Sequence, residues 1–91
     1  MVYALSYDLV QPGRDYTKLF EAIKAIGSWC HPLESFWLVD TLATAKQVAD
    51  AVIGHMDSND KVFVIRTHRA AAWQGINPAC ADWINDAARR W

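Results

Sequence analysis

The chain opens on an apolar run, Val2-Tyr3-Ala4-Leu5-Ser6-Tyr7-Asp8-Leu9, rich in β-branched and aromatic residues. Such a run predicts a buried strand, and Gln11-Pro12-Gly13 ends it with turn chemistry. Asp15 is placed as an N-cap, and Tyr16, Leu19, Phe20, Ile23 and Ile26 recur at helical spacing. Lys18, Glu21 and Lys24 take the opposite face, and Gly27 marks the stop. Residues 29–41 read as extended: a short strand near 29–33, with Pro32 at an edge or bend, and a stronger one over 35–41. Thr44-Ala45-Lys46-Gln47 fits a capping box, and Val48, Ala49, Val52, Ile53 and Met56 continue one stripe. Asp57-Ser58-Asn59-Asp60 is a polar turn leading into the strand Lys61-Val62-Phe63-Val64-Ile65-Arg66.

The order β-α-β-β-α-β predicts an α+β, ferredoxin-like domain over residues 1–67. Right-handed crossovers put both helices on one face of a four-stranded antiparallel sheet. The strands are apolar on both sides: Phe63 and Ile65 oppose Val62 and Val64, and Phe36 and Leu38 oppose Trp37 and Val39. A sheet of this kind needs cover on its second face too. Residues 68–91 are expected to supply it as an apolar linker and a C-terminal helical tail. Asn77-Pro78 starts that helix, and Cys80, Trp83, Ile84, Ala87, Ala88 and Trp91 form its stripe. The tail is expected to pack on its own sheet or on a dimer partner. The linker, His68 to Gly75, is expected to cross a buried surface.

Composition sharpens this picture. At 91 residues the chain is one small domain, in which burial is marginal and a partner gains weight. Apolar residues make up 53%, with five tryptophans. This excludes disorder and favours a covered surface or homodimer interface. The net charge is −1, and a pI near 6.2 is far from a nucleic-acid footprint. Residues 1–61 hold eight acidic and five basic side chains; the rest hold Arg66, Arg69, Arg89 and Arg90 against Asp82 and Asp86. Cys30 and Cys80 lack metal-ligand spacing, and no segment has the apolar length of a membrane span or the pattern of a signal peptide. A cytoplasmic protein with reduced, buried thiols is the expectation.

Asp8 is the leading chemical candidate. In the opening strand, Val2, Ala4, Ser6 and Asp8 share one face, and the larger Tyr3, Leu5, Tyr7 and Leu9 suit the helix side. Asp8 then lies on the face a partner would cover, where a twofold axis brings it near its own copy. Two carboxylates with water suit Mg²⁺ or Mn²⁺. The alternative is an Asx-type acceptor closing the strand. Arg66 and Arg69, with His68, offer forked donors for phosphate, or are ordinary surface cations. His31 and Cys30 are adjacent on a strand and so face opposite ways, which disfavours a nucleophile pair. His55 suits a helix C-terminus, and Asp57 and Asp60 suit a turn rather than a calcium loop.

With these residues together, the chain resembles the CRISPR-associated protein 2 family and its small SinR-like relatives. The matching segments are Tyr7-Asp8-Leu9, then Arg14, Glu34-Ser35-Phe36-Trp37-Leu38-Val39 leading to Thr41, and Asp57-Ser58-Asn59-Asp60-Lys61-Val62-Phe63-Val64. They span roughly residues 2–67. The resemblance implies a ferredoxin-like homodimer, acting as a metal-dependent endonuclease on RNA or DNA or as a scaffold in spacer integration. It assigns Asp8 as catalytic metal ligand for Mg²⁺ and Arg14 as a phosphate contact. The segment from Trp73 to Trp91 departs from the family's extra strand. A non-catalytic dimeric module binding a nucleic acid, a nucleotide or a protein partner is the alternative.

Overall fold

Alternation along β1 (Val2–Asp8) sorts the molecule into two layers, one on each side of the sheet. A computed structural model describes residues 1–10 and 15–91. After β1 come α1 (Thr17–Ile26), β2 (Ser28–Leu33), β3 (Phe36–Asp40), α2 (Ala45–Ile53), β4 (Lys61–Arg66) and α3 (Pro78–Asn85). The result is a small α+β fold with a four-stranded antiparallel sheet of order β2-β3-β1-β4 and, among the described residues, three helices.

Tyr3, Leu5 and Tyr7 point to one side with Trp37 and Val39, where Leu19 and Ile23 of α1 and Val48 and Val52 of α2 meet them. Both of these helices therefore cover one face. The anticipated capping box of α2 is present: Gln47 N–H donates to Thr44 Oγ1 at 3.1 Å and Thr44 N–H to Gln47 Oε1 at 2.9 Å. At α1 the helix begins one position later than the Asp15 cap suggested. Asp15 still accepts from the Thr17 N–H at 2.9 Å, so its carboxylate satisfies an end donor from just outside the helix. Pro32 lies on the edge strand β2, beside the register shift between Cys30 and Leu33.

The second face holds Val2, Ala4, Cys30 and Leu38, covered by Cys80 and Ile84 of α3, with Trp83 and Trp91 packed alongside. The tail thus packs on its own sheet, over β2, β3 and β1. Two expectations are corrected. The third helix ends at Asn85 rather than running to Trp91, because Asp86 turns extended and residues 86–91 fold back. The linker 68–75 is exposed rather than buried. Ala70, Ala71 and Trp73 nonetheless line a hollow above Phe36 and Leu38. Gly75 has φ 78°, a left-handed conformation that suits glycine in this arch.

Asp40 anchors the tail. At the end of β3 it is 3% exposed. Its carboxylate accepts from Arg90 Nε at 3.2 Å, Arg90 N–H at 3.1 Å and Arg89 Nη1 at 3.5 Å. The Met1 nitrogen approaches it at 3.5 Å. Arg89 continues outward, stacking its guanidinium 3.8 Å over the Trp83 ring and donating to Ser28 Oγ at 3.0 Å. Burial pushes the Asp40 carboxyl up, but the Arg90 N–H and guanidinium and the Met1 amino group outweigh this and hold it below the usual carboxylate range. Gly27, the joint between α1 and β2, backs onto the Asp40 carbonyl so closely that a Cβ there would collide with backbone.

A carboxylate depressed on folding stabilises the native state above its unfolded pKa, and that contribution fades as pH falls through the lower folded value. Wild type is therefore expected to lose stability as pH drops below about 4. Asp40→Asn should cost about 2–3 kcal/mol near neutrality in urea unfolding and flatten that acid limb. Gly27→Ala should cost about 1–3 kcal/mol in the same measurement, because the collision is with main chain that cannot rotate away.

Candidate functional site

Asp8 occupies the exposed end of β1, on the face opposite α1 and α2. The strand register sets Asp8 across from Lys61, Ser6 across from Phe63 and Ala4 across from Ile65. Cross-strand partners share a face, so Asp8, Ser6, Lys61, Phe63 and Ile65 form one strip along β1 and β4. The tail stops short of it: Phe63 and Ile65 remain 66% and 53% exposed. A shallow hollow of about 220 Å³ opens beside Asp8, with Ser6, Lys61 and Phe63 on its walls. Lys61, Ser6 and Phe63 were not singled out as site residues from sequence. The signal was available in the antiparallel register, which follows once Tyr7-Asp8 and Lys61-Val62 are both strand ends.

The remaining candidates lie elsewhere. Arg66 pairs with Tyr3 at the far end of β4, five residues or about 17 Å from Lys61. There its Nη2 donates to the Trp91 carbonyl at 3.5 Å. Arg69 is exposed in the linker, at that same end of β4. The chain therefore does not bring Arg66 and Arg69 to Asp8. Arg14 lies outside the described residues.

The turn acids behave as expected of a turn. Asp60 accepts from Asp57 N–H at 2.8 Å and from Val10 N–H at 2.9 Å, tying the exit of β1 to the entrance of β4. Tyr16 Oη reaches the same carboxylate at 3.4 Å. Among the described residues no group of three His, Cys, Asp or Glu side chains is placed to hold a metal ion. Asp8 offers a hard oxygen donor of the right type for Mg²⁺, but within one copy it is a single carboxylate.

His31 stacks flat on Trp37, with ring centres 3.8 Å apart, and its Nε2 lies 3.0 Å from the Glu34 carbonyl. Cys30 points the other way, into the layer under α3. Cys30 and Cys80 are both free and buried. Burial first, and the neighbouring Cys80 second, push the Cys30 thiol up to about 12. A thiol so placed is a packing group and not a nucleophile at neutral pH.

A larger cavity of about 400 Å³ lies between the second sheet face and the tail. Phe36 and Leu38 of β3 line it from the sheet, and Ala71, Trp73, Ile84 and Trp91 from the tail. Its polar side chains are Thr67, His68 and Gln74. None of the described helices is long and apolar enough to cross a membrane.

In a Cys80→Ala chain, Cys30 is the sole thiol. Iodoacetamide at pH 8 should alkylate it at less than about a hundredth of the rate seen after unfolding in guanidinium, read by mass spectrometry. Comparable rates in both conditions would show that the layer under α3 does not shield it.

Compared with protein families, with characterised proteins and with solved structures, the chain matches none.

Proposed function

We propose that this chain is a homodimeric, cytoplasmic protein similar to CRISPR-associated protein 2, a metal-dependent endonuclease acting on RNA or DNA. The observation that carries this reading is the position of Asp8: an exposed carboxylate at a strand end, bordering an apolar strip that the tail leaves uncovered. The strand order β2-β3-β1-β4, with α1 and α2 together on one face, supports a ferredoxin-like assignment for residues 1–67. Closing Phe63 and Ile65 against a second copy removes apolar surface from water and draws two Asp8 side chains toward one axis.

The Asp8 pair, completed by water, would hold Mg²⁺, which when bound activates water and polarises a phosphate oxygen. Lys61, directly across the ladder from Asp8, would be the cation to meet the same phosphate. Arg66 and Arg69, about 17 Å along the sheet, suit phosphates farther along a strand rather than the scissile one. The cross-strand lysine also favours the second reading. If Lys61 neutralises Asp8 within the chain, the dimer binds a nucleic acid, a nucleotide or a protein partner without hydrolysis.

Incubating single-stranded RNA and duplex DNA with and without Mg²⁺ separates the two. Cleavage is expected only with Mg²⁺. Asp8→Ala should reduce it beyond the ~10–100-fold typical of losing a group that merely supports a metal ligand. Cleavage that survives Asp8→Ala removes the site assignment. Absence of cleavage from a particle of twice 10.3 kDa supports the binding module, and a 10.3 kDa particle in light scattering removes the dimer.

A further inference from the structure

We infer that Cys30 and Cys80 form a reversible disulfide that fastens the tail to the sheet when the surroundings turn oxidising. This redox site is separate from Asp8 and does not depend on the endonuclease reading.

The chain has two cysteines, about fifty residues apart, and the fold sets one against the other. Cys30 lies in the edge strand β2 and Cys80 in the first turn of α3, within one buried cluster. Both are free thiols, each 4% exposed. The Cys80 thiol is close enough to act on that of Cys30 through a sulfur hydrogen bond and its charge. Buried cysteines often serve as small apolar fillers. Filling asks only for apolar volume at each position, whereas a disulfide needs the two thiols side by side. A hollow of about 410 Å³ borders both residues, with Asn77 and Trp83 on its tail side, and admits a small oxidant.

The oxidant class is a low-molecular-weight disulfide. Burial holds Cys30 protonated, so Cys80 reacts first. Its sulfur attacks one sulfur of the small disulfide, whose S–S bond breaks, and the departing thiolate takes up the Cys80 proton. The Cys30 sulfur then displaces the second small thiol from Cys80, and that thiol carries off the Cys30 proton. Each cysteine gives up one electron and one proton, and the small disulfide is reduced to two thiols. Cys30 is inert to outside reagents, yet a sulfur already in place beside its target reacts through a small thiolate fraction. Such a bond suits a reducing compartment, where disulfides are transient and redox-sensing. It closes a loop of about fifty residues and ties α3 to β2 independently of the Asp40 ion pairs.

The test equilibrates the full chain at pH 8 with 2-hydroxyethyl disulfide and 2-mercaptoethanol over a range of ratios, once native and once in concentrated guanidinium. Each equilibrium is approached from reduced and from oxidised protein, so slow access does not pass for lack of bonding. Acid-quenched samples are read by mass spectrometry, where the intramolecular bond is a loss of two hydrogens. That bond should be favoured about 30- to 700-fold more in the native chain than in the unfolded one. Oxidised protein should melt roughly 10–25 °C above reduced protein.

Cys30→Ala and Cys80→Ala should each lack the species short of two hydrogens. The comparison of native with unfolded chain uses wild type, so it stands even where either variant fails to fold. The inference is overturned by a native equilibrium constant no larger than the unfolded one. It is equally overturned by a native chain carrying only mixed disulfides, or by a bond that joins two copies.

Discussion

Asp40 is the point through which the two layers of this protein communicate. Strand pairing sets it between Val2 of β1 and Ser28 of β2, at the end of the most apolar strand in the chain. A carboxylate buried there is costly unless its oxygens are filled. The backbone N–H of Arg90 and the guanidinium groups of Arg89 and Arg90 fill them, and doing so draws residues 86–91 back over the sheet. The same residue, through its carbonyl, leaves Gly27 no room for a side chain. One position thereby dictates the α1–β2 joint, the placement of the tail and the wall that Trp91 contributes to the cavity.

Three of the five tryptophans, at 73, 83 and 91, belong to the tail and serve this second layer. Trp83 is held at both ends, its Nε1 donating to Ser28 Oγ at 2.9 Å and its ring under Arg89. Aromatic mass in excess of one core is thus accounted for within a single chain over β2 and β3. What it leaves uncovered is the Phe63–Ile65 strip. The apolar surface left open is therefore narrower than the whole sheet face, and Asp8 borders it.

Most of the fold was legible because period-2 and period-3.6 patterns were clean. Trp37 and Val39 against Phe36 and Leu38, and the Thr44–Gln47 cap, are local signals that tertiary packing had no reason to override. The tail was less legible. The apolar residues of 68–75 read as buried, yet an arch one residue thick cannot hide both of its sides. The stripe through Ala87, Ala88 and Trp91 fits a continuous helix, and a long-range ion pair broke it. Arg89 and Arg90 look like surface cations until Asp40, some fifty residues earlier, is known to be buried. For Asp8, face and exposure followed from parity alone. Its cross-strand neighbour Lys61, and the distance to Arg66, depended on a register that pattern does not specify.

The attachment points of the tail also divide the molecule's resistance to opening. Thr67 is pinned at the near end, where both its N–H and its hydroxyl donate to the Val2 carbonyl at 2.9 Å. Beyond Gly75 the tail's polar ties fall mainly on β2 and the end of β3: Trp83 on Ser28, and Arg89 with Arg90 on Asp40, while Cys80 and Ile84 pack on Val2, Ala4, Cys30 and Leu38. A further bond, from Arg66 of β4 to the Trp91 carbonyl, holds the far end of the tail. The tail is thus tied to the first layer at Thr67 and again at Asp40, with the Gly75 arch between the two points.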